Sequence, residues 1–124
     1  MGYYSEVGLC LHKDNLKLFD SKLSSHYASE LQSVGALLEC AEHITDTTTD
    51  AELWHWKTVK WYSDDQEIGF METLMSDMDM EKFLFIRIGE DSDDNEVIGC
   101  WWDNPFGLCL ERNINFERPA YGNR

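Results

Sequence analysis

Apolar residues recur along this chain with two different spacings, and the changes between them mark its elements. From Tyr3 to His12 the spacing is two. Tyr3, Val7, Leu9 and Leu11 fall on one face and Glu6, Cys10 and His12 on the other, which predicts a half-buried strand. From Leu16 the spacing becomes three or four, through Phe19, Leu23, Tyr27, Leu31 and Val34. That predicts a helix, interrupted near Ser24-Ser25 and ending around Gly35.

Residues 36–62 read as a hairpin. Leu38, Cys40 and Ile44 alternate, Asp46-Thr-Thr-Thr-Asp50 supplies turn chemistry, and Leu53 to Trp61 is rich in β-branched and aromatic residues. The other reading of 28–43 is continued helix, and the pattern leaves both open. Ser63-Asp-Asp-Gln66 has the form of a capping box, with Asp64, Asp65 and Glu67 near the positive end of the following helix. Ile68, Met71, Met75 and Met78, widened by Phe70 and Leu74, form its apolar stripe. Lys82–Ile88 and Val97–Trp102 read as strands around an acidic loop, and Phe106–Phe116 as a last strand after the Asp103-Asn-Pro105 turn.

The predicted order is β-α-β-β-α-β-β-β. It implies an α+β fold with two helices on one face of an antiparallel sheet and the other face left open. The expected arrangement is a ferredoxin-like βαββαβ core with a C-terminal β-hairpin extension. At 124 residues the chain has the size of one domain, expected over residues 1–118, with 119–124 as a tail.

Charge changes the picture more than any other compositional feature. Twenty-four acidic side chains against ten Lys and Arg give a net −14. Residues 1–60 hold nine acidic and five basic side chains, a net −4; residues 61–110 hold thirteen acidic against Lys82 and Arg87, a net −11; the remainder returns +1. Such a field repels nucleic acid and anionic membranes, because phosphate binding needs Lys and Arg, and it attracts basic surfaces. Between Tyr62 and Glu81 no Lys or Arg appears. Solvated helices ordinarily mix in cations at i+4, so their absence suggests selection for the field itself.

No apolar run approaches the length of a membrane span, and the first residues lack the basic and apolar regions of a secretion signal. The expectation is a cytoplasmic protein. Cys10, Cys40, Cys100 and Cys109 contain no CxxC pair and are expected as free thiols.

Specific chemistry is scarce. The loop Glu90-Asp-Ser-Asp-Asp-Asn-Glu96 begins like a calcium loop, but Glu96 stands where the sharp turn needs Gly and Trp102 where a bidentate Glu belongs. It reads as a solvated hairpin tip or a partner-facing one. The Cys and His residues lack ligand-like spacing; Cys10 and His12 alone share a strand face. No GxSxG, phosphate loop or HExxH occurs. No metal, cofactor or catalytic residue is therefore assigned, and the chain is read as non-enzymatic. Trp54 and Trp56 lie two apart in a strand and share a face, with Leu53, His55, Val59 and Trp61 assigned to the other. One of these faces is expected to be free for a partner or a second copy.

Met1-Gly-Tyr-Tyr-Ser-Glu-Val7, Phe85-Ile-Arg-Ile-Gly-Glu-Asp91 and Trp102-Asp-Asn-Pro-Phe106 resemble segments of small uncharacterised accessory proteins encoded by phages and prophages. The resemblance carries no catalytic residues. It implies a protein that binds a host protein inside the host cell; acidic examples include inhibitors of restriction and CRISPR machinery that imitate nucleic acid. The first expectation is therefore a nucleic-acid mimic that inhibits a basic, nucleic-acid-binding host protein. The candidate contact residues are Asp64, Asp65, Glu67, Glu72, Asp77, Asp79, Glu90, Asp91, Asp93, Asp94 and Glu96, joined by Trp54 and Trp56. The alternative is an interaction or homodimerisation module that uses the aromatic sheet face without charge mimicry.

Overall fold

The computed structural model describes residues 2–24, 28–91 and 93–110. It is an α+β fold: three helices and a five-stranded sheet whose neighbouring strands are all antiparallel. Strand β1 (Ser5–Leu11) leads into helices α1 (Lys13–Ser24) and α2 (Ala28–Glu39), then β2 (Glu42–Asp46) and β3 (Ala51–Val59). Helix α3 (Gln66–Ser76), a 3-10 turn (Met80–Lys82), β4 (Phe83–Ile88) and β5 (Asn95–Gly99) follow. The sheet order is β2-β3-β1-β4-β5.

The helices cover one face. Val7, Leu9 and Leu11 of β1, Trp54 and Trp56 of β3, and Phe83 and Phe85 of β4 meet Phe19 of α1, Val34 and Leu37 of α2, and Ile68, Met71, Leu74 and Met75 of α3. Helix α2 runs through the stretch predicted as the start of a hairpin, because Val34 and Leu37 stack one turn apart on the core. Gly35 does not stop it: a Cβ there would meet nothing, so the helix passes through an open position. Leu37 O, a carbonyl of the last turn, accepts from the buried Trp56 Nε1 at 2.8 Å as well as from Cys40 N.

Helix α3 carries the predicted apolar stripe but begins after the predicted cap. Asp65 is the N-cap residue and makes no side-chain cap bond. Residues 62–65 close a turn through Asp65 N to Tyr62 O, and Ser63 Oγ donates instead to Glu72.

The second face is not open. Cys10, Leu53, Leu84 and Ile86 form a smaller cluster covered by Trp101, Phe106, Leu108 and Leu110. These come from the segment expected to continue the sheet as a hairpin. Strand β5 stops at Gly99, whose φ of +87° turns the chain where a Cβ would lie 2.3 Å from Phe83 O. Residues 100–110 then cross the sheet without strand structure, and residues 111–116 of the predicted last strand lie outside the described residues.

Candidate functional site

Three strand ends meet at one edge of the fold. β1 begins there, with Ser5 opposite Val59 at the end of β3, and Glu6 opposite Ile88 at the end of β4. The two most acidic segments, 62–67 and 89–96, both depart from this end. One residue bridges them. Tyr3 N donates to Tyr62 Oη at 2.7 Å, while Tyr3 Oη donates to Asp94 at 2.5 Å and accepts from Asp91 N at 3.1 Å. The side chains of Tyr62 and Tyr3 thus link the two segments end to end. Tyr4 N adds a bond to Glu90 Oε2.

Arg87 locks the loop from beneath. Its guanidinium donates to both oxygens of Asp94 (2.7 and 3.3 Å), to Glu96 at 2.7 Å and to Ser5 Oγ at 3.1 Å. The hydrogen bond with Asp94, followed by Glu96, holds Arg87 more firmly protonated than usual. Arg87 in turn, and then Tyr3, holds the Asp94 carboxyl below the ordinary carboxylate value. The bond from the Asp91 amide favours the Tyr3 phenolate, but the bond to Asp94, burial and the nearby negative charges outweigh it and raise the phenol.

The eleven candidate carboxylates therefore do not form one patch. Asp94 and Glu96 share the single positive charge of Arg87, which leaves the three a net −1. Glu72 accepts from Ser63, and Glu90 accepts from Tyr4 N. Asp77 ends α3 and faces Lys22 at 3.9 Å; Asp79 caps the 3-10 turn by accepting from Glu81 N. These last two sit at the far end of α3, about 18 Å from Asp65 at 1.5 Å per helical residue. Asp64, Asp65, Glu67, Asp91 and Asp93 remain at the near end. None of the five makes a side-chain hydrogen bond or ion pair with another described residue.

Trp54 and Trp56 do not belong to this surface or to any other. They are 6% and 1% exposed and face the helices. The free aromatic face fails for a local reason. Ser5 pairs with Val59 but Val7 with Trp56, so β3 carries one extra residue between them. That bulge reverses the alternation and puts Val59 and Trp61 on the same side as Trp54 and Trp56. The outward residues of β3 are Leu53, under the 100–110 segment, and His55, flanked by Glu6 at 2.8 Å and Glu42 at 3.6 Å.

Tyr3, Tyr4, Tyr62 and Arg87 were not among the candidates, yet they shape the site. One signal for them was present. An Arg inside the otherwise apolar run Phe83–Ile88, next to an acidic loop, needs a carboxylate partner before it can be half-buried.

Among the described residues no group of three or more His, Cys, Asp or Glu side chains is placed to hold a metal ion, and no helix is long and apolar enough to cross a membrane. Cys10 is buried, and Cys40, Cys100 and Cys109 are exposed. No protein family matches the chain, and no curated protein or solved structure is similar to it.

Proposed function

We propose that this chain is a non-enzymatic binding protein that presents the acidic end of its sheet to a basic surface of another protein. The observation that carries the reading is the bridge made by Tyr3. It joins the 62–67 and 89–96 segments, so that Asp64, Asp65, Glu67, Asp91 and Asp93 share one end of the fold with no ion pair to another described residue, the nearby Lys60 lying over the Tyr4 ring. Two acidic segments far apart in sequence are held at one end of the fold; Asp65 and Glu67 meet the positive end of α3 there, but repulsion between the two segments is a cost. A cationic partner removes it.

In its most specific form the partner is a nucleic-acid-binding protein of a bacterial host. The carboxylates then occupy a groove that otherwise holds phosphates, and the protein acts in the host cytoplasm as a phage-encoded inhibitor of restriction or CRISPR type. The scaffold fits a ferredoxin-like reading: the first four strands lie in the order β2-β3-β1-β4, and each helical crossover spans one intervening strand. That reading is supported by strand order alone. The homodimer that needed Trp54 and Trp56 on the surface is not proposed, because both are core residues.

The test is capture of proteins from a bacterial lysate on the immobilised chain at low and high salt. The reading expects a basic protein retained at low salt, released at high salt, and displaced by duplex DNA. Capture that persists at high salt and ignores DNA overturns the mimicry.

A further inference from the structure

The segment on the outer sheet face is attached in an unusual way. At its start two backbone bonds hold it, Cys100 N to Met80 O at 2.8 Å and Trp101 N to Phe83 O at 3.2 Å. From Trp102 to Leu108, every hydrogen bond among the described residues closes within the segment or back onto Cys100 and Trp101. Asn104, buried, is the organiser. Its Nδ2 donates to the carbonyls of Trp101 and Leu108 at 3.0 Å each, and its Oδ1 accepts from the amides of Phe106 (3.2 Å) and Leu108 (2.8 Å). The segment is thus folded upon itself. It rests on the sheet through the apolar side chains of Phe106, Leu108 and Leu110, over Cys10, Leu53, Leu84 and Ile86.

Lifting such a unit breaks no sheet bond and leaves its internal bonds intact, so its opening is separate from unfolding of the helix-packed core. Gly99, at positive φ, and the Cys100–Trp101 anchor mark the hinge. Gly8 of β1 gives the close fit: a Cβ there would lie 2.9 Å from Leu108 Cδ1.

We propose that residues 102–108 are a strap that lifts off the outer face as a unit, and that the Cys10 thiol is reachable only when it does. Cys10 suits the role of reporter. It is fully buried beneath the strap, and burial pushes its thiol up to about 12.

The experiment is alkylation of Cys10 by iodoacetamide at fixed pH, followed by mass spectrometry. It uses a background in which the exposed thiols are removed by Cys40→Ser, Cys100→Ser and Cys109→Ser. Under native conditions the rate should rise with urea much less steeply than global unfolding, because the strap exposes only its own small apolar contact. Leu108→Ala should raise it by roughly tenfold or more, because strap contacts are lost. Gly8→Ala, which displaces Leu108 without shortening any strap residue, should raise it as well. Val34→Ala weakens only the helix-covered core and should lower the unfolding midpoint while leaving the native-state rate unchanged. A rate that climbs with urea along the global unfolding line overturns the strap. So does a Val34→Ala effect as large as those of Leu108→Ala and Gly8→Ala.

Discussion

Trp56 and Trp61 offer the same chemical change in two electrostatic settings. The rings touch, with centroids 5.5 Å apart, and both residues lie in the main core. Trp56 Nε1 donates to Leu37 O at 2.8 Å, whereas Trp61 Nε1 is buried with no hydrogen-bond partner among the described residues. Replacing either by Phe removes the same atoms. The lost volume of roughly 40 Å³ costs about 1 kcal/mol at ~24 cal/mol per Å³, and the lost transfer energy adds about 1 kcal/mol. At Trp56 the hydrogen bond is lost too, for a further ~1 kcal/mol, so Trp56→Phe should destabilise by about 3 kcal/mol. At Trp61 the substitution removes an unsatisfied buried donor, whose desolvation costs ~1–3 kcal/mol, so Trp61→Phe should be close to neutral. For a chain of this length an unfolding entropy of ~2.1 cal/mol/K per residue converts each kcal/mol into about 4 °C of Tm. Thermal melts followed by far-UV circular dichroism should therefore separate the two variants by about 8–12 °C. Equal losses would refute the assignment of the orphaned indole.

Two other perturbations test the ends of β4 and β5. Arg87→Met should destabilise the fold most at neutral pH. The Asp94 carboxyl is held low by Arg87, so its contribution is complete above the ordinary carboxylate value of 3.8 and is lost as pH falls through the lower folded value. The gap in urea midpoint between parent and variant should therefore narrow below pH 4; a gap that widens on acidification contradicts the ion pair. Gly99→Ala should cost more than about 2 kcal/mol, since it adds a Cβ at positive φ against the backbone of Phe83. A midpoint within error of the parent would mean that the turn after β5 is misdescribed.

Much of the fold was legible in the sequence because its strongest signals are periodic. Val7, Leu9 and Leu11 of β1, Ile68, Met71 and Met75 of α3 and the β4 run lie where the pattern puts them, but β1 is buried on both faces, Tyr3 precedes it and Met78 lies beyond α3. The misreadings are local events that carry no periodic mark. The extra residue between Trp56 and Val59 reverses which side of β3 faces out, and nothing in the spelling of Ala51–Val59 announces a bulge. Gly35 reads as a helix stop, yet it lies inside α2 where its missing side chain makes no difference. Gly99 does end a strand, two residues before the apolar pair that extended the prediction. The candidate site was half legible. Composition located the acidic segments, but which carboxylates remain unpaired depends on Tyr3 and Arg87, whose partners lie up to 91 residues away in the chain.

The central claim is that the position of the negative charge matters, beyond its amount. It is tested most directly by two variants that lose the same number of charges. One carries Asp64→Asn, Asp65→Asn, Asp91→Asn and Asp93→Asn at the bridged end. The other carries Asp20→Asn, Asp50→Asn, Glu81→Gln and Asp103→Asn elsewhere on the surface. Affinity for the captured basic partner, measured by calorimetry across a salt series, should fall by at least tenfold, about 1.4 kcal/mol, in the first variant, with a shallower salt dependence. The second should stay within a factor of about three of the parent, because exposed charges farther from the partner than the screening length of about 8 Å contribute little. Equal losses in the two variants would contradict a built site and reduce the account to net charge alone.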